Sequence, residues 1–148
     1  MFCGVINVLF AGAALLAPFR PGEVTVGGEV GHRMSVTLGK MLHHTDIEGT
    51  FTRHFRHRKV KPDEPGGFAG YGMFLDALVT AAAHGIGGAE TVRAKTRLLA
   101  ELGELQSPDG RITMFSGAPG FWDNHEGAYL IQALCRDHRW FGTAASLE

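Results

Sequence analysis

The chain has 148 residues, 14 basic against 15 acidic side chains, and a hydrophobic content of 45%. This length fits one domain with a core of its own, and the composition is typical of a globular protein rather than a disordered one. The nearly neutral charge gives no electrostatic case for nucleic-acid binding. Cys3 and Cys135 are too few for a disulfide framework, and the sequence contains no Cys-x-x-Cys motif.

Residues 1–21 form an apolar N-terminal segment in which no charge precedes Arg20. A secretory signal normally has a cationic region before its apolar core, and a membrane-spanning helix needs about 20 apolar residues. The segment fits a buried or frayed end or a mis-assigned start best, a degenerate signal peptide next, and an anchor least. We therefore expect no membrane partner, and a cytoplasmic location is slightly favoured over secretion.

One strand and two helices are predicted between residues 22 and 58. Residues 23–26 alternate polar and apolar side chains between glycines, which is typical of a short half-buried strand. Thr45 and Glu48 match the capping box that begins a helix, and Phe51 and Phe55 continue that helix as an aromatic stripe. The helix before it is predicted from apolar residues at helical spacing, namely Met34, Leu38, Met41 and Leu42.

Residues 53–59 are the only charge run in the sequence. His54 and His57 lie three residues apart on one helix face, which makes an anion or metal site one interpretation. The preferred interpretation is a solvated helix face whose cations complement the C-terminal end of the helix dipole. Neighbouring positive charges would also oppose a bound metal cation. Residues 61–67 contain two prolines and two glycines and predict a loop.

Three helices are predicted after this loop, over residues 68–84, 89–105 and 125–137. The first carries almost no charge apart from Asp76, so this helix should be covered on most sides. Asp76 is either a satisfied polar group, which is the preferred interpretation, or a pocket group. The second is amphipathic and should lie outside, with a solvated face formed by Arg93, Lys95, Arg97, Glu101 and Glu104. The turn Ser107-Pro108-Asp109-Gly110 joins the second and third helices.

This alternation of inner and outer helices predicts the fold class. The chain is expected to be mainly α, a partial (α/α) helical-hairpin toroid with a short N-terminal strand. The toroid domain would span residues 22–142, and residues 143–148 would form a frayed tail.

The densest cluster of functional side chains lies at the start of the third helix. Carbohydrate sites need aromatic faces for the sugar C–H surfaces and polar groups for the hydroxyls. Both occur together here, with Asp109 in a second loop that could face the same way. The predicted substrate-binding residues are Asp109, Trp122, Asp123, His125, Glu126 and Tyr129. The alternative is structural: Asp123 or Asn124 caps the helix, Asp109 stabilises the turn and Trp122 packs.

Several motifs follow one another in a defined order, namely Gly67-Phe68-Ala69-Gly70, Phe74-Leu75-Asp76-Ala77-Leu78, Leu105-Gln106-Ser107-Pro108-Asp109-Gly110, His125-Glu126-Gly127-Ala128-Tyr129-Leu130-Ile131 and Gly142. Together they resemble the start of the catalytic domain of glycoside hydrolase family 127, the β-L-arabinofuranosidase-like enzymes of the six-hairpin glycosidase group. The resemblance covers roughly residues 22–142.

The resemblance implies an N-terminal portion of such an enzyme, which contacts the sugar through residues such as His125 and Tyr129. The family's nucleophilic cysteine and its zinc ligands lie downstream of the matched segment, so no catalytic residue, metal ligand or cofactor is carried over. One departure is Asp109-Gly110-Arg111-Ile112, where the family commonly has Asp-Gly-Tyr-Leu. Activity of this chain alone is not expected, and an uncovered apolar face would permit self-association. The alternative is a non-catalytic helical module that binds carbohydrate or protein.

Overall fold

The computed structural model describes residues 19–58, 70–117 and 120–147, and these are mainly α-helical, as predicted. A π-helical turn (Glu48–Thr52) precedes the second α-helix, and a 3-10 turn (Ala144–Ser146) follows the last one. The N-terminal segment 1–18 and the predicted loop 61–67 lie outside the described residues. The helices are α1 (Gly28–His44), α2 (Arg53–Arg56), α3 (Tyr71–Ala83), α4 (Gly88–Leu105) and α5 (Phe121–Phe141).

The short strand predicted at residues 23–26 is wrong. Residues 23–26 follow a turn in which the N–H of Glu23 donates to the carbonyl of Arg20 at 3.1 Å. They connect this turn to the start of α1. Val24 and Val26 are each 42% exposed. No strand lies beside them in the described part of the chain, and an extended segment without a partner cannot satisfy its backbone groups by pairing.

The predicted capping box is displaced by one residue. Thr45 ends α1, since its N–H donates to the carbonyl of Met41 at 3.1 Å. The capping side chain is Asp46, whose Oδ1 accepts the N–H of Gly49 at 2.9 Å. Aspartate is as good an N-cap as threonine, because its oxygen accepts an N–H that has no partner in the first turn.

Helix α3 is the centre of the packing, as its lack of charge predicts. One side of it is covered by the aromatic residues of the π-helical turn and α2; the ring of Phe51 stacks on Phe74 with centroids 5.0 Å apart. The Tyr71 hydroxyl donates to the carbonyl of Leu98 in α4 at 2.8 Å, and burial raises the pKa of this hydroxyl. The buried residues of α3 are Tyr71, Gly72, Phe74, Leu75, Leu78 and Val79.

Helices α3 and α5 run parallel, side by side. The carboxylate of Glu126 near the start of α5 binds the start of α3, Asp76 binds Arg136 further along, and His84 lies edge-on to Trp140 at the far ends. Helix α4 runs back antiparallel to α3, against which it packs, after a tight connection at residues 84–87. The described part of the chain is therefore mainly α, and the closed toroid stays a prediction.

The connection between α3 and α4 confirms the predicted glycine stop. Gly85 has φ +69°, a conformation that favours glycine. The N–H of Ile86 then donates to the carbonyl of Ala81 at 2.9 Å. This bond satisfies one of the last carbonyls of α3 in the manner of a Schellman motif.

Two predictions about the α4–α5 side are wrong. Lys95, placed on the solvated face, is 5% exposed, binds Asp137 and lies 3.9 Å from the ring centre of Phe141. The predicted frayed tail instead docks: Ser146 is 6% exposed and its hydroxyl donates to the Asp137 carboxylate at 2.7 Å. Thr91 and Leu98 flank Lys95 at intervals of four and three, so Lys95 lies on the buried stripe itself.

The charge run complements the C-terminal end of its own helix, where Nε of Arg58 donates to the carbonyl of Phe55 at 3.3 Å, and also that of a neighbouring helix. Arg56 binds Glu101 at 3.1 Å, and Arg58 donates to the carbonyl of Leu105 at 3.2 Å. Both partners lie in the last turns of α4, where helix carbonyls lack partners and a cation is favoured.

Within the described residues no helix is both long enough and apolar enough to cross a bilayer.

Candidate functional site

A cluster of aromatic side chains lies at the first two turns of α5. Phe121 is 74% exposed and Trp122 is 40% exposed, and the two rings meet edge to face with centroids 5.3 Å apart. Helix α5 begins four residues earlier than predicted, with Gly120 as its N-cap. This earlier start places Phe121, His125 and Tyr129 at helical spacing on one face. We call these residues, together with Trp122, the α5 aromatic surface.

His125 lies at the centre of the α5 aromatic surface. Its ring is parallel to that of Phe121 at 6.5 Å and perpendicular to that of Tyr129 at 5.2 Å. The Trp122 ring meets it edge-on at 5.8 Å. Such offset and edge-to-face contacts restrict the rings to one arrangement. The predicted residues Trp122, His125 and Tyr129 are therefore brought together.

Asp123 lies on the buried face of α5 and fixes the preceding loop. It is 6% exposed, and its Oδ1 accepts the N–H of Met114 at 2.7 Å. Its Oδ2 accepts the hydroxyl of Thr113 at 2.7 Å and the N–H of Gly120 at 3.1 Å. The alternative prediction, in which Asp123 caps the helix, is therefore close to what the structure shows. The carboxylate caps α5 from its third position and also holds residues 113–114.

Glu126 joins the starts of the two parallel helices. It is 1% exposed, and one carboxylate oxygen accepts the N–H of Gly70 at 2.9 Å while the other accepts the N–H of Gly72. These N–H groups belong to the beginning of α3, where no intrahelical acceptor exists. The carboxylate of Glu126 is consequently committed to backbone groups and does not face the surface.

Asp109 lies in the exposed turn after α4 and not within the α5 aromatic surface. Hydrogen bonds from Ser107 at 2.6 Å and from Arg111 at 2.7 Å lower the pKa of its carboxyl to about 2. The N–H of Gly110 donates to the carbonyl of Ser107 at 2.8 Å, as a tight turn requires. The turn prediction is therefore confirmed, and Asp109 stabilises it.

The arrangement can bind a ligand through apolar ring faces and edges, with polar atoms at the Trp122 indole and the His125 imidazole. Its three predicted carboxylates do not form an acid–base pair, because Asp123 and Glu126 are bound to backbone groups and Asp109 is held by Arg111. Binding rather than bond cleavage is the chemistry that these side chains offer. Among the residues described, no three metal-ligating side chains come together.

The sequence prediction missed two members of this region. Phe121 was placed before the helix, although its spacing of four residues from His125 is the signal that would have included it. Thr113 was not singled out, and its hydroxyl both donates to Asp123 and accepts the N–H of Phe115 at 3.1 Å. A lone threonine in a loop carries no pattern that predicts such a pairing ten residues away.

No family model, curated protein or solved structure matches this chain. The likeness to glycoside hydrolase family 127 accordingly remains a proposal, supported by the motifs quoted above.

Proposed function

We propose that this chain supplies sugar contacts to a β-L-arabinofuranosidase-like glycoside hydrolase of the family 127 type, while the groups that cleave the bond come from outside these residues. The motif order from Gly67 to Gly142 supports the family. The parallel pair α3 and α5, joined through antiparallel α4, supports a hairpin of the six-hairpin toroid.

The observation that carries the proposal is the α5 aromatic surface. Large aromatic side chains are normally buried, and a patch of them held exposed in one arrangement marks a binding site. Sugars present C–H faces that pack on aromatic rings and hydroxyls that bond to polar groups nearby. Phe121 and Trp122 supply exposed rings, and the ring of His125 lies against both.

The buried carboxylates have a positioning role in this proposal. Asp123 sets the loop at residues 113–114 against the start of α5, and Glu126 sets the start of α3 beside it. Residues 113–114 and the start of α3 are thereby both fixed against the first turns of α5. Rigid placement of these segments lowers the entropy lost when a ligand binds.

Binding of an arabinan-derived oligosaccharide, measured by isothermal titration calorimetry, tests the proposal. Replacing Trp122 by alanine should weaken binding about tenfold, because a lost ring contact and its buried area are worth roughly 1–2 kcal/mol. Ile131→Ala is the matched control: it truncates a 64% exposed apolar side chain on the same helix outside the cluster. Equal losses in both variants, or no saturable binding by the wild type, would contradict the proposal.

The second candidate is a non-catalytic protein-interaction module, which the exposed apolar side chains of α1 favour. Val30 is 62% exposed, and Met34 and Val36 are about 41–42% exposed. Light scattering during size-exclusion chromatography separates the two candidates. An open toroid face predicts concentration-dependent association, whereas a self-contained module predicts a uniform monomer that binds no sugar.

A further inference from the structure

A groove of about 800 Å³ lies between α1 and α3, and none of the four residues of the α5 aromatic surface lines it. Val30, Met34 and Met41 line it from α1, and Ala77 and Ala81 line it from α3. The alanines are too small to fill the space opposite the longer side chains. Pockets for small ligands typically measure about 300–1,000 Å³ and are mostly apolar. We call this space the α1–α3 groove.

One side of the α1–α3 groove carries an ion pair with spare hydrogen-bond donors. Asp76 and Arg136 both line the groove, and Nη1 of Arg136 binds the two carboxylate oxygens at 2.8 and 2.6 Å. Within the described residues, Nε and Nη2 of Arg136 have no acceptor. The guanidinium carbon lies 5.8 Å from the ring centre of Trp140, which helps to hold it in place.

A second unused donor lies beside this ion pair. Thr80 lines the α1–α3 groove one helical turn after Asp76, and its hydroxyl oxygen is shielded from solvent without a hydrogen-bond partner in the described part of the chain. A buried polar atom without a partner is destabilising, so a ligand that pairs it is favoured. Threonine adopts two side-chain rotamers in helices, and the change from one to the other would turn this hydroxyl toward a bound ligand.

Donors therefore exceed free acceptors at this side of the groove. Asp76 is the one carboxylate among the described residues that line it, and its oxygens are already occupied by Arg136 and by Gln132 at 3.0 Å. Arg33 adds a second guanidinium to the lining, paired with Glu29 across the exposed face of α1. A ligand that completes the contacts of Arg136 must bring acceptor atoms, and a carboxylate is the acceptor that pairs best with the free side of a guanidinium.

We propose that the α1–α3 groove binds an aliphatic monocarboxylate. The carboxylate accepts hydrogen bonds from Nε and Nη2 of Arg136 and from the Thr80 hydroxyl. The hydrocarbon chain lies between Met34 and Met41 on one wall and Ala81 on the other. This site is separate from the proposed sugar surface and does not depend on it.

Methyl-labelled methionine gives a direct measurement on the full chain, with dodecanoate as the probe at concentrations below micelle formation. Met34 and Met41 line the groove, whereas Met73 and Met114 lie elsewhere and serve as internal controls. The proposal predicts that the carbon–proton NMR signals of Met34 and Met41 shift saturably with one bound dodecanoate, while those of Met73 and Met114 stay in place.

Two variants and one second ligand separate the carboxylate contact from the apolar contact. Arg136→Gln should weaken dodecanoate binding at least tenfold and leave dodecan-1-ol binding unchanged, since the alcohol lacks the charge that Arg136 binds. Ala81→Leu should weaken both ligands, because it fills the groove without touching the ion pair. Ala89→Leu, at an exposed position of α4, should change neither.

Three results would overturn the proposal. The first is no saturable shift of Met34 and Met41 in the wild type. The second is equal affinity for dodecanoate and dodecan-1-ol, which would remove the carboxylate contact. The third is loss of self-association in Ala81→Leu without any dodecanoate binding in the wild type, which would assign the groove to a second copy of the chain. Circular dichroism of each variant shows whether its helices are intact.

Discussion

At the scale of single residues, buried carboxylates hold together the segments around the candidate site. Glu126, Asp123 and Asp137 are all buried, and each carboxylate binds two or more donors. Buried carboxylates with full sets of donors are costly to alter, because removal of the acceptor leaves donors unpaired in a dry environment. The consequences can be measured one residue at a time.

Replacing Glu126 by alanine should lower the free energy of unfolding by about 3 kcal/mol, since the N–H groups of Gly70 and Gly72 would lose their acceptor. Urea denaturation followed by circular dichroism measures this loss. Glu104→Ala is the control, because its carboxylate is 70% exposed and the change should cost less than about 0.5 kcal/mol. A loss in Glu126→Ala no larger than that of the control would refute the structural role.

The Lys95–Asp137 pair should show strong coupling. Lys95→Met and Asp137→Leu should each destabilise the protein by about 3–5 kcal/mol, because each leaves one buried charge without its partner. The double variant should be less destabilised than the sum of the single variants by several kcal/mol. Additive losses in a double-mutant cycle would show that the two charges do not interact.

Asp137 also predicts a pH dependence. Burial alone would raise the pKa of its carboxyl, but hydrogen bonds from Lys95, Thr143 and Ser146 outweigh burial and hold the pKa below its ordinary value. A lowered folded-state pKa adds stability that is fully present above the unfolded-state value of about 3.9 and is lost as the pH falls through the folded-state value.

The stability difference between wild type and Asp137→Asn should therefore be constant near neutral pH and shrink below about pH 4. Urea denaturation at a series of pH values measures it. A difference that stays constant or grows on acidification would contradict the lowered pKa.

At the scale of helices, α3 and α5 approach each other closely at Gly72. A Cβ added at Gly72 would lie 2.7 Å from the backbone nitrogen of Leu130 and 2.8 Å from the Cβ of Tyr129. The two helices approach this closely only because residue 72 lacks a side chain. The same contact sets the position of Tyr129 within the α5 aromatic surface.

Gly72→Ala should consequently destabilise the protein by about 1–3 kcal/mol, as expected for an overpacked site. Gly127→Ala is the matched control on the partner helix: nothing lies within 4 Å of its added Cβ, so alanine should stabilise the helix by up to about 1 kcal/mol. Thermal unfolding of both variants checks the signs. A stabilised Gly72→Ala variant would mean that the helices do not meet here.

The helices themselves were largely predictable from the sequence, because period and breakers are local signals. The apolar pattern of α3 and the glycine at position 85 predicted the end of α3 and its connection to α4. The turn that contains Asp109 predicted the end of α4. The strand at residues 23–26 was wrong because alternation alone does not supply a pairing partner. Lys95 was misplaced because residue type was given more weight than its position on the buried stripe.

The candidate site was predictable only in part. The spacing of Trp122, His125 and Tyr129 on one helix is a local pattern, and the structure brings these rings together. The destinations of Asp123 and Glu126 depend on contacts with residues ten and more than fifty positions away, at Thr113 and Gly70. No periodicity in the sequence encodes such long-range hydrogen bonds.

At the scale of the whole molecule, the described helices present two surfaces of different chemistry. The α5 aromatic surface lies at the start of the parallel pair α3 and α5, and the α1–α3 groove lies toward the other end. The ion pair Asp76–Arg136 and the contact of His84 with Trp140 lie between α3 and α5 on the groove side. Ligand binding at one surface can therefore be measured separately from ligand binding at the other.

The two tryptophans make that separation measurable and test the central claim that the α5 aromatic surface binds sugar. Trp122 belongs to this surface and Trp140 does not, and the chain contains no other tryptophan. In a proton–nitrogen NMR spectrum of the full chain, titration with an arabinan-derived oligosaccharide should shift the Trp122 indole signal saturably and leave that of Trp140 in place. A spectrum in which neither indole signal moves, or in which only that of Trp140 moves, would contradict the account.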